Sequence, residues 1–131
     1  MSNTQEQLSI SRMTELIVDF AEKRGWKNED PNLLLTSLYI ELAEMAEHYQ
    51  WKNKFPEFSA DKKREIGFEF VDILFYLLRI ADQSGIDINA CFLEKLPKLE
   101  KKFPLDVAKD PKAILKVKEE YRRTGKNKLY E

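Results

Sequence analysis

Residues 32–53, NLLLTSLYIELAEMAEHYQWKN, decide the fold. Leu35, Leu38, Leu42, Met45 and Tyr49 recur at alternating steps of three and four, the spacing that lines up one side of a helix. Asp30-Pro31 just upstream reads as an N-cap followed by the first helical position. This helix is expected to run to about Trp51. Pro56, in WKNKFPEFSA, breaks it, and Ser59 caps the next. Outward in both directions the same period continues. Upstream, Ser9 is the expected N-cap of a first helix carrying Ile10, Met13, Ile17, Phe20 and Ala21, with Gly25 at its end. Downstream, a long third helix reaches about Ser84 with Ile66, Phe70, Ile73, Leu77 and Ile80 inward, and Gly85 closes it. Asp87 then caps a fourth helix, in which Pro97 should bend or end the helix. After Phe103-Pro104, Asp110-Pro111 opens a last helix through about Arg123, stopped by Gly125 and followed by a polar tail. Short connections between amphipathic helices predict an all-α, antiparallel four-helix-bundle-like fold with an extra C-terminal helix.

Composition agrees. The 131 residues carry 43% hydrophobic and 34% charged side chains, a soluble globular profile for one domain. Four Gly and five Pro are too few for a turn-rich β fold. The N-terminal MSNTQEQLSISR lacks the basic and apolar regions of a signal peptide. The most apolar stretch, residues 73–81, is too short to span a bilayer and contains Arg79. The single Cys91 cannot form an internal disulfide, so a cytoplasmic protein without membrane contact is expected. Residues 1–104 carry a net −4 and residues 105–131 a net +3. So mild a basic tail reads as solvated surface rather than a surface for nucleic-acid polymers.

The chemistry sits in the acids. Glu41 and Glu44 each precede a core position of the second helix, Leu42 and Met45. Glu69 and Asp72 do the same before Phe70 and Ile73, 28 residues on. An i, i+3 pair lies about 4.5 Å apart along a helix and on one face. If the two helices pack side by side, four carboxylates converge on one cleft. Their repulsion calls for a cation, and hard oxygen ligands suit Mg²⁺, which shares its shell with substrate phosphates. Metal-assisted attack of water on phosphorus would follow, a carboxylate taking the proton. Either pair alone is usually just a solvated helix face; two pairs in matching register divide evenly between that reading and a site. His48 reads as a polar residue at the cleft edge or surface, because Mg²⁺ sites rarely use imidazole.

These motifs carry a resemblance. NLLLTSLYIELAEMAEHYQWKN, FEFVDILFYLLRIADQSGIDINACFLEKL (residues 68–96) and the Phe103-Pro104 stop resemble the MazG-like, all-α nucleoside triphosphate pyrophosphohydrolases, above all their small dCTP pyrophosphatase-like members. The resemblance covers residues 10–104, and it implies a family domain at 1–104 with 105–131 as a helical extension and tail. The family's E-x-x-E and E-x-x-D fall on Glu41, Glu44, Glu69 and Asp72. It implies hydrolysis between the α- and β-phosphates of a nucleoside triphosphate, dCTP or another pyrimidine dNTP, to monophosphate and pyrophosphate. It also implies Mg²⁺ on those four acids and a homodimer or homotetramer.

Trp26 and Trp51 match the pair of tryptophans that flank the base; as indoles they could equally fill a core or interface. Tyr76 is placed to reach the phosphates or to pack. Lys95 matches a position beside the phosphates, and is either a phosphate contact or solvated surface. Lys52 and Lys54 follow Trp51 and are either phosphate contacts or solvated surface. Three positions depart from the family: Leu99 replaces an Asn and follows an unusual Pro97, Ile17 replaces a base-holding His, and Phe68 replaces an acid. They leave the metal ligands intact but bear on substrate identity. The competing reading is a helical bundle that binds nucleotide or oligomerises without turnover.

Overall fold

In the computed structural model the described residues are 5–125. The remainder, which includes the polar tail and part of the N-terminal segment discussed above, lies outside them. The described residues form helices and contain no strand. α1 spans Ile10–Glu22, α2 Pro31–Glu47, α3 Ala60–Gln83, α4 Ile88–Lys102, α5 Leu105–Ala108 and α6 Pro111–Thr124.

The caps explain where the helices begin. Ser9, Asp30, Ser59 and Asp110 each accept a hydrogen bond from a first-turn backbone N–H, and Pro31 and Pro111 follow at the first helical turn. Gly25, Gly85 and Gly125 have positive φ beyond their helices. In the last case this left-handed residue is the C-cap that stops α6.

One boundary needs correcting. α2 stops at Glu47 rather than near Trp51. The apolar period runs on to Tyr49 because that ring packs edge-on against Phe55 and Phe58, at 6.1 and 5.8 Å, in the segment after the helix. α4 continues through Pro97 to Lys102. A short helix, α5, occupies the stretch after Pro104.

Contacts divide the chain between Ile88 and Asn89 into two compact units. In the first, α2 packs along α3 and α1 packs on α3. Its core is thin: Ala21, Leu34, Leu38, Ile66 and Leu78 are the buried apolar residues, and Arg79 is buried with them. Leu42, Phe70 and Leu77, read as inward-facing, are 38, 50 and 45% exposed. α2 carries apolar residues on more than one side (Leu33, Leu34, Leu35, Tyr39 and Ile40), so periodicity alone does not say which side the same chain covers. In the second unit α5 packs on α6, and Lys102 of α4 lies over the Tyr121 ring of α6 at 4.6 Å.

Candidate active site

α2 and α3 run antiparallel, which pairs late residues of one with early residues of the other. His48 Nε2 lies 2.8 Å from Glu69 Oε2. Further back along α2, Glu41 comes under the influence of Asp72. All four predicted acids therefore share one region between the helices. Partial burial, then the charges of Asp72 and Glu44, a hydrogen bond with Glu44, and the charge of Glu69 hold the Glu41 carboxyl above the usual carboxylate range. Glu41 and Glu69 are half-buried, while Glu44 and Asp72 are exposed.

The acids share a field without forming a closed cage. Among the described residues, no three His, Cys, Asp or Glu side chains are gathered closely enough to hold a metal ion. The residues nevertheless suit a hard cation. All four donors are carboxylate oxygens. Glu69 Oε2 is itself buried and makes no hydrogen bond, with His48 Nε2 2.8 Å away.

The other expected residues scatter more widely. Trp26 lies in the α1–α2 linker, 38% exposed, with its ring edge-on to Phe20 at 6.1 Å. Trp51 is 94% exposed with φ at 66°, left-handed backbone that a non-glycine residue seldom adopts. An exposed indole on strained backbone is the kind of feature found at ligand clamps. Tyr76 is half-buried and packs edge-on against Phe75 at 5.6 Å. Lys52 and Lys54 are exposed. Lys95 belongs to the second unit, where burial, then its charge and that of Lys118, lower the Lys102 pKa. Of the departures, Ile17 is half-buried in α1, Phe68 is exposed beneath the Arg64 guanidinium at 5.6 Å, and Leu99 lies exposed on α4.

Two features were not legible beforehand. His48 meets Glu69; its spacing of four from Glu44 and seven from Glu41, one helix face, was the available signal. Arg79, in an apolar run, is 2% exposed and reaches back to the linker, donating from Nη2 to Trp26 O at 3.0 Å and to Glu29 Oε2 at 3.1 Å. No local pattern encodes a partner 50 residues away.

Known proteins resemble this chain in sequence and fold. The family model described as dUTPase (dUTPase_2) matches residues 1–128. Human dCTP pyrophosphatase 1 is 27% identical over 106 residues, covering 77% of this chain and 62% of that protein. The Bos taurus dCTP pyrophosphatase 1 is 29% identical, with 77% and 63% covered. The chain thus spans under two thirds of the length of these relatives. Among solved structures, a pyrophosphatase from Archaeoglobus fulgidus DSM 4304 superposes with a TM-score of 0.54 at 28% identity, over 76% of this chain and 96% of that one. The family match takes in α5 and α6 as well as the helices bearing the acids, and on that span the chain belongs to the MazG-like, all-α dUTPase family.

Proposed function

We propose that this protein is a Mg²⁺-dependent nucleoside triphosphate pyrophosphohydrolase that cleaves between the α- and β-phosphates of a pyrimidine deoxynucleoside triphosphate. The observation that carries this is the shared electrostatic field of Glu41, Glu44, Glu69 and Asp72 across two antiparallel helices. The names of the family and of the relatives, dUTPase and dCTP pyrophosphatase, favour a pyrimidine substrate.

Glu41, Glu44, Glu69 and Asp72 would hold the cation. When bound, Mg²⁺ would offset the repulsion among the acids and the negative charge of the phosphates. A carboxylate of the set accepts the proton of the attacking water; the new P–O bond forms as the bond to pyrophosphate breaks, and monophosphate and pyrophosphate leave. Trp26 and Trp51 stack on the base, and Tyr76 and Lys52 serve the phosphates. The enzymatic domain in this reading is residues 1–104, with 105–131 as an extension.

The assembly is a homodimer or homotetramer in the cytoplasm. The thin core supports self-association: Leu33, Tyr39, Ile40, Phe68 and Val71 are each more than half exposed on α2 and α3. No helix among the described residues is long and apolar enough to cross a membrane.

The direct test is substitution. Glu41→Gln or Asp72→Asn should abolish turnover while helical circular dichroism is retained; full activity in both variants would sink the assignment. The competing reading, a bundle that binds nucleotide without hydrolysis, draws on Leu99 and Pro97 and on the open arrangement of the acids. Mg²⁺-nucleotide binding without product would favour it.

A further inference from the structure

Arg79 is the one charged residue in the buried core of the described chain, and that placement asks for a reason. A buried cation is costly unless paired, and an apolar residue of similar size often serves stability as well or better. Arg79 therefore has a different value, which its contacts indicate. Nη2 alone makes two bonds, to the backbone carbonyl of Trp26 and to the carboxylate of Glu29. Its guanidinium carbon lies 5.8 Å from the Trp26 ring and 5.3 Å from the Phe75 ring. Phe20 closes the group, edge-on to both rings. The linker is pinned from α1 as well, by the Trp26 N–H bonded to Ala21 O at 3.0 Å.

The indole so held forms part of the wall of a cleft of about 270 Å³, with Lys27, Asn28, Arg79, Asp82 and Gln83 around it. Arg79 stands seven residues after Asp72, on nearly the same face of α3 and about 10 Å further along the axis. That offset is within the span of one nucleotide between its phosphates and its base. Nε of Arg79 has no hydrogen-bond partner, so the residue is held by its two Nη2 bonds and its place beside the Trp26 and Phe75 rings. A guanidinium supplies both at once, which an ammonium does not.

We propose that Arg79, locked by Glu29, is a positioning residue that fixes the α1–α2 linker and so sets the placement of the Trp26 indole against the substrate base. The inference rests on the reading of Trp26 as a base-stacking residue. It assigns Arg79 no contact with the reacting phosphates, so its loss should be felt in substrate affinity and not in the chemical step.

The test uses the full chain with Mg²⁺ and dCTP, and three substitutions: Glu29→Gln, Arg79→Met and Arg79→Lys. Glu29 is partly exposed, so Glu29→Gln keeps the test open should Arg79→Met fail to fold. Expected is a rise in KM of about tenfold for Arg79→Met and a smaller one for Glu29→Gln, with kcat within about threefold of the unaltered protein. Arg79→Lys should recover part of the KM, through the restored charge. In a Trp51→Phe background, where Trp26 is the sole tryptophan, Glu29→Gln and Arg79→Met should shift the emission maximum to the red as the indole loosens. This reading does not depend on turnover. An unchanged emission spectrum in both variants overturns the proposal, as does a fall in kcat with KM unmoved. Trp26→Ala separates the two claims: if it raises KM while Glu29→Gln and Arg79→Met do not, stacking stands and the clamp falls. If Trp26→Ala leaves KM unchanged, stacking falls and the proposal with it.

Discussion

Glu41 concentrates the electrostatic argument. Its carboxyl is held above the usual range by burial first and then by Asp72, Glu44 and Glu69. The sign of the consequence follows from linkage. Below the ordinary carboxylate pKa the group is neutral folded or unfolded and contributes nothing. As pH rises past that value the unfolded chain releases the proton more readily, so the folded state loses stability. At neutral pH Glu41→Gln should therefore leave the metal-free melting temperature unchanged or higher, even as it removes activity. Added Mg²⁺ should raise the melting temperature of the unaltered protein more at pH 7 than at pH 5, and that increment should shrink in Glu41→Gln. Thermal scans at both pH values, with and without the cation, check this. Trp51 presents the same conflict in backbone form. A left-handed non-glycine residue costs about 1–2 kcal/mol, and this one has an almost fully exposed side chain. Trp51→Gly should not lower stability in denaturant titration, while KM for the nucleotide rises. A loss of stability with unchanged KM would assign the indole to packing instead.

Among the elements, the starts of helices were readable because capping is local chemistry. Ser9, Asp30, Ser59 and Asp110 bond to N–H groups two or three residues ahead, and a short window contains everything needed. Ser59→Ala should cost about 1 kcal/mol in denaturant unfolding, the usual worth of such a cap. The end of α2 was not readable, because Tyr49 keeps the helical period while packing on Phe55 and Phe58 outside the helix. Nor was the buried side of α3. Phe70 and Leu77 hold the expected period, but the packing of α1 and the linker instead buries Leu78 and Arg79. Leu78→Ala should cost about 2–5 kcal/mol, as a leucine removed from a packed interior does. Spacing alone put Glu41 and Glu44 on one face of α2, and Glu69 and Asp72 on one face of α3. What spacing did not supply was the contact of His48 with Glu69 or the reach of Arg79 to Glu29, since each depends on how neighbouring helices dock.

On the scale of the whole molecule, the five buried apolar residues among the described ones make a small core, and large apolar side chains remain exposed on α2 and α3. Light scattering coupled to size exclusion should find a dimer or tetramer; a stable monomer would remove that part of the proposal. The family match runs through residue 128 and so includes the C-terminal helices that the sequence resemblance had left aside. The central claim, hydrolysis at the α–β phosphate link by a cation held on four acids, is tested most directly by product analysis. A panel of ribo- and deoxyribonucleoside triphosphates, incubated with the protein and Mg²⁺ beside EDTA controls, should yield monophosphate and pyrophosphate with metal only, and fastest from a pyrimidine deoxynucleotide. Diphosphate and inorganic phosphate as products, equal turnover in EDTA, or no turnover of any nucleotide would contradict it.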